Sequence, residues 1–170
     1  MNIFKKINDY FDFIYESLNS PKYIDWKIID NNLIGFFEVN SVLYRIECLI
    51  QIGNNYSFSF SWNNNGVWEY NITNFERGAF YILSTIISGI EYLYNEYKPN
   101  SIIFSAIDES TTRKRLYKQY CDSFCKKTNY KLIDRGNEKF IMYVIYNENI
   151  SDSEKEDIFN SIQKIVEDGK

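Results

Sequence analysis

The fold is decided by one stretch, Tyr56-Ser57-Phe58-Ser59-Phe60-Ser61-Trp62-Asn63-Asn64-Asn65-Gly66-Val67-Trp68. Aromatic and serine residues alternate strictly, the period of a β-strand, whose successive side chains point to opposite faces. The pattern predicts that Phe58, Phe60 and Trp62 are buried, and that Ser57, Ser59 and Ser61 face outward or toward a partner. Asn63-Asn64-Asn65-Gly66 is a hairpin signal, because Asn and Gly tolerate the positive φ of a tight turn. Trp68, Tyr70 and Ile72 then form the returning strand.

The same period continues toward the N-terminus. Val42, Tyr44, Ile46, Cys48, Ile50 and Ile52 share one face, with Arg45, Glu47 and Gln51 on the other, and Gly53-Asn54-Asn55 turns the chain. Leu33 to Val39 is a short apolar strand ending at Asn40-Ser41. Ile24, Trp26 and Ile28 alternate with Asp25 and Lys27 ahead of a turn at Asp30-Asn31-Asn32. The result is a meander of about five antiparallel strands. Before it, Ile3, Phe4, Ile7, Phe11, Ile14, Tyr15 and Leu18 recur at helical spacing, stopped by Asn19-Ser20-Pro21.

Beyond the meander the period changes to that of a helix. Thr73 or Asn74 is the expected N-cap and Glu76 lies in the first turn. Ala79, Ile82, Leu83, Ile86, Ile87, Ile90, Leu93, Tyr94 and Tyr97 form an apolar stripe that ends at Pro99-Asn100. A buried strand, Ile102-Ile103-Phe104, follows. Ser110, Thr111 or Thr112 then caps a helix with Leu116, Tyr117, Tyr120, Cys121, Phe124 and Cys125 on its apolar face, running on to Tyr130. Tyr130–Ile133 and Lys139–Tyr146 form a hairpin around Arg135-Gly136-Asn137, and Asp152–Val166 is an acidic helix. The reading is an α+β fold in a single domain. Residues 1–147 make its body, and residues 148–170 are an acidic C-terminal helix of the same domain.

Composition excludes several classes. Aromatics make 31 of 170 residues (13 Phe, 15 Tyr, 3 Trp), while 7 Gly and 2 Pro exclude collagen-like and Pro-rich chains. The absence of histidine removes Ser-His-Asp and Cys-His catalysis and every His-ligated metal site. Cys48, Cys121 and Cys125 form no CxxC pair, so they read as small core residues and no metal is expected. The N-terminus lacks signal-peptide character, and no apolar run reaches the roughly 20 residues of a membrane span. A cytoplasmic chain without a membrane partner is expected.

Charge is uneven along the chain. Residues 113–139 hold nine Lys/Arg against three Asp/Glu, and residues 1–112 hold seven against thirteen. A basic segment on an acidic chain is a candidate anion site. General nucleic-acid binding is not expected, because such proteins use a broad positive field. No Walker loop, dinucleotide fingerprint or nucleophile elbow is present. The constellation with most chemical content is Phe104-Ser105-Ala106, Asp108-Glu109, Ser110 and Arg113-Lys114-Arg115-Leu116-Tyr117-Lys118. A strand runs into a polar loop and a capped helix, whose N-terminal N–H groups, with Arg113, Arg115 and Lys118, suit a phosphate or carboxylate.

From Phe80-Tyr81-Ile82-Leu83 through Ile103-Phe104-Ser105-Ala106 and Arg113-x-x-Leu116-Tyr117 to Tyr130-Lys131-Leu132, the chain resembles small phage-encoded proteins related to the GNAT superfamily of N-acetyltransferases. The resemblance covers roughly residues 75–146. It implies a GNAT-like order of meander, central helix, strand, helix and hairpin, and gives Tyr117 the position of the tyrosine that protonates the coenzyme A thiolate. The superfamily's pyrophosphate cradle corresponds to Asn74-Phe75-Glu76-Arg77-Gly78-Ala79, where one glycine is out of register and Glu76 stands where an anion would sit; Arg77 is a further candidate for ligand or partner binding. The expectation is therefore a phage accessory protein that binds a host protein in the host cytoplasm, a defence component among the candidates, with no cofactor. The alternatives are an N-acetyltransferase using acetyl-CoA, with Tyr117 catalytic, and a minor virion protein.

Overall fold

The computed structural model describes residues 20–70, 78–107, 111–136 and 140–168, the residues at 79, 105–107, 111–114, 116, 140, 161 and 163–168 by their backbone alone. The expected N-terminal helix, and the caps at Thr73 or Asn74, lie outside the described residues.

The described chain is α+β, with eight strands and three helices. The strands are β1 (Asp25–Ile29), β2 (Asn32–Val39), β3 (Val42–Gln51), β4 (Asn55–Asn64), β5 (Val67–Glu69), β6 (Ser101–Ile107), β7 (Tyr130–Gly136) and β8 (Phe140–Asn147). The helices are α1 (Ala79–Tyr97), α2 (Thr111–Lys127) and α3 (Asp152–Asp168). The strand order is β1-β2-β3-β4-β6-β8-β7, with β5 on β4. The sheet is mostly antiparallel; β4 and β6 pair in parallel over Asn55–Ser57 and Ser101–Ile103. Contacts divide the chain into two compact units, 1–46 with 60–96 and 47–59 with 97–170.

Turn chemistry sets the meander. Asp30-Asn31, Asn40-Ser41 and Asn65-Gly66 all hold positive φ (49° and 64°, 52° and 61°, 52° and 90°) at the two-residue connections β1–β2, β2–β3 and β4–β5. Positive φ at both central residues is what a type I′ hairpin turn requires, and Asn, Asp and Gly meet it at least cost. Asn63 Oδ1 accepts from the Gly66 N–H at 2.9 Å and reinforces the third turn.

In the first unit, α1 covers one face of the strands. Ile82, Ile86, Ile90 and Leu93 are buried with Leu33, Phe37, Val39, Tyr44 and Ile46. Trp26 stacks on Tyr92 at 5.0 Å and 15°, and the Lys22 N–H donates to Thr85 Oγ1 at 2.8 Å. The helix opens at Gly78, whose carbonyl accepts the first bond from Ile82 N at 3.0 Å. On the other face, Lys27 lies over Phe36 (5.5 Å to the ring centroid) and Arg45 over Trp68 (4.3 Å).

The second unit holds the β7–β8 hairpin, β6, α2 and α3. Tyr117, Cys121 and Phe124 of α2 are buried, and Ile158 and Ile162 of α3 join Met142, Val144 and Ile150 in one cluster.

Four expectations are corrected. Ser61 is fully buried, while Phe60 and Trp62 are half-buried; Tyr56 and Phe58 are the inner residues of β4. No residue of β4 is exposed, so both faces of this central strand are covered and alternation there no longer separates core from solvent. Ile28 is exposed although Ile24 is buried, because Ile28 closes an edge strand beside its turn. Ile50 and Ile52 are exposed at the end of β3, while Tyr44, Ile46 and Cys48 on the same face are buried. Finally, α2 ends at Lys127, and Tyr130 opens β7.

Candidate functional site

The candidate site is built where β6 runs toward α2. Phe104 of β6 and Tyr143 of β8 are cross-strand partners whose rings stack at 5.3 Å and 22°. Tyr117, from the second turn of α2, packs edge-on against both, 6.4 Å from each ring at 88° and 78°. Edge-to-face aromatic packing of this kind adds to the burial of the rings. Tyr117 is 8% exposed and Tyr143 1%. Burial, with smaller contributions from Cys121 and Asp134, pushes the Tyr143 phenol up to about 12. Phe104, Tyr117 and Tyr143 thus form one packed aromatic group between β6, β8 and α2.

The basic residues sort into two groups. Lys118 donates to Asp134 Oδ2 of β7 at 2.6 Å, which raises its ammonium pKa, and Lys131 meets Glu148 at 2.7 Å. Arg115 is exposed, as are Lys126 and Lys127 in the last turn of α2, where cations are favoured by the helix dipole. Part of the basic segment is thus matched by acids, Asp134 within the β7–β8 hairpin and Glu148 just beyond it.

Of the residues expected at the site, Tyr117 and Phe104 are brought together. Lys118 is turned to the Asp134 side, and Arg115 is on the surface. Ser105 stands in β6 opposite Met142, and Arg113 lies in the first turn of α2; their side chains are not described. Asp108, Glu109, Ser110 and Arg77 lie outside the described residues. The three thiols are raised by burial, Cys125 to about 11 and Cys48 and Cys121 further. Among the described residues no group of three or more Cys, Asp or Glu side chains gathers as a metal would require, and no helix is long and apolar enough to cross a membrane.

Sequence reasoning missed a polar clasp in the same unit. Asn100 donates through Nδ2 to Gly53 O at 2.9 Å and to Glu154 Oε1 at 3.0 Å, while its carbonyl accepts from Asn147 N at 2.8 Å. Ser101 Oγ donates to Asn55 Oδ1 at 2.7 Å. Glu154 also takes the Ser151 N–H and hydroxyl at 2.9 and 2.7 Å, the reciprocal capping box of α3. Ser151-x-x-Glu154 is its signal in the sequence; the partners in Asn100 and Gly53 leave no local sign. Compared with protein-family models, with curated proteins and with solved structures, the chain gives no match.

Proposed function

We propose that this chain is a phage-type accessory protein on a GNAT-like scaffold that acts by binding a host protein, a defence component among the candidates, and not by acetyl transfer. The observation that carries the reading is the place of Tyr117. Its ring is buried edge-on against the stacked pair of Phe104 and Tyr143, whereas a general acid must reach the atom it protonates. The exposed cations on α2, Arg115, Lys126 and Lys127, suit an acidic partner surface.

Acetyl transfer is the second reading, favoured by the parallel β4–β6 pair and by the helix carrying Tyr117 directly after β6. One experiment separates the two. Thermal unfolding of the chain with about 1 mM acetyl-CoA should give no stabilisation, since a ligand at 100 times its Kd adds about 2.7 kcal/mol and would be plain. A clear upward shift, abolished turnover in Tyr117→Phe and unchanged coenzyme binding in that variant would establish the transferase instead.

A further inference from the structure

β1 ends the strand order, and among the described residues nothing pairs with its outer edge. The opposite edge, β7, is guarded by charge, with Lys131, Asp134 and Arg135 along it and two ion pairs tying it down. β1 is different. Tyr23 is 85% exposed, Ile28 73% and Ile29 46%, and its only charges are Asp25 and Lys27, paired with each other at 3.1 Å.

The register of β1 on β2 determines what this edge offers. Ile29 faces Asn32 across the two-residue turn, Lys27 faces Ile34 and Asp25 faces Phe36. In a two-residue hairpin the pair that flanks the loop exchanges hydrogen bonds, and bonded and unbonded pairs alternate from there. Trp26 and Ile28 are therefore the residues whose N–H and C=O point away from β2.

We propose that β1 is the seam of a homodimer, in which a second copy of this chain pairs antiparallel along the edge with the two-fold axis at Trp26. In this register Trp26 lies opposite the partner's Trp26, and Ile28 lies opposite the partner's Ile24, so the outward N–H and C=O groups meet their complements. Asp25 faces the partner's Lys27, and Lys27 faces the partner's Asp25. Ile29 faces the partner's Tyr23, so exposed apolar side chains on each copy are covered by the other. Charge favours this register over the two adjacent to it. An axis at Lys27 sets ammonium against ammonium, and an axis at Asp25 sets carboxylate against carboxylate, each unfavourable directly across two strands. The seam is self-complementary, as a two-fold interface must be.

Sedimentation of the full chain between about 1 and about 200 µM, a range that spans micromolar Kd values, tests the proposal. The wild-type chain should pass from monomer to dimer. Asp25→Lys and Lys27→Asp each place four like charges at the seam and should weaken the dimer at least about tenfold, a change of about 1.4 kcal/mol. An equimolar mixture of the two variants should form a heterodimer at wild-type concentrations, because each then supplies the other's missing sign. Ile28→Pro removes an outward N–H without touching the β1–β2 bonds and should leave a folded monomer. A wild-type chain that stays monomeric throughout, single variants that dimerise like wild type, or a mixture that does not associate would each overturn the proposal.

Discussion

A methyl group on Gly78 would sit 2.9 Å from both Val39 Cγ1 and Asn40 Nδ2. Val39 is buried and β-branched, so it has little freedom to yield. In the sequence Gly78 reads as a displaced phosphate-loop glycine, and its structural work is instead to let the start of α1 approach the β2–β3 turn. Gly78→Ala should cost about 1–3 kcal/mol as an overpacking change, a Tm loss of several degrees for a chain of this size. An unchanged Tm would remove the close approach. Gly35 is a second such position, opposite Trp26 and lying under its ring, with an added Cβ meeting that ring at 2.8 Å. The thiols give another test at this scale. Cys48 and Cys121 are fully buried and Cys125 half-buried, each with a raised pKa. In the native chain at pH 8, a thiol reagent should therefore react slowly, and first at Cys125. Equal rates at all three would contradict the packing of α2.

At the scale of elements, β4 separates what a pattern can say from what it cannot. The period identified a strand and its hairpin, and both are present. It could not identify the inner face, because a strand covered on both sides grades burial by neighbours and not by parity. Phe58→Ala should cost about 3–5 kcal/mol, the loss for a fully buried Phe, and Phe60→Ala distinctly less. Equal losses in chemical unfolding would restore the simple alternation. The start of α3 carries a pH prediction. Hydrogen bonds from the Ser151 side chain and backbone, and from Asn100, hold the Glu154 carboxyl below its ordinary range. A carboxyl depressed in the folded state stabilises above its unfolded pKa, about 4.3, and loses that contribution as pH falls through the folded value. Glu154→Gln should therefore lower Tm near neutral pH, with the gap to wild type closing below about pH 4. A gap independent of pH would show that the carboxylate charge has no part in the clasp.

At the scale of the whole chain, α3 is tied into the core of the second unit through Ile158 and Ile162. Ile158 and Ile162 bury against Met142, Val144 and Ile150, with Ile103 and Tyr146 packed at the margin. Each such side chain is worth about 1.5–3 kcal/mol when buried, so the set outweighs much of the few kcal/mol by which domains are stable. A chain truncated after Asn147 should lose cooperative unfolding and bind a hydrophobic dye. Retention of a sharp transition at the wild-type temperature would show that α3 is dispensable.

The local signals in this sequence determined its local structure. Asn and Gly at the hairpin loops, period 2 through the meander and helical spacing from Ala79 to Tyr97 each depend on a few neighbouring residues; of the returning strand read at Trp68, Tyr70 and Ile72, β5 keeps Trp68 and ends at Glu69, with Tyr70 exposed beyond it. The capping box at Ser151 and Glu154 also has a local spacing signal, which the sequence reading missed. Burial within β4, the exposure of Ile28, the packing of Tyr117 on Phe104 and Tyr143, and the pairing of Lys118 with Asp134 were decided by the tertiary structure. Each depends on a residue distant in the chain or on the order of strands across the sheet. Short-range patterns carry the conformational preferences of a segment, and only the assembled sheet determines which faces are covered and which edges are left open.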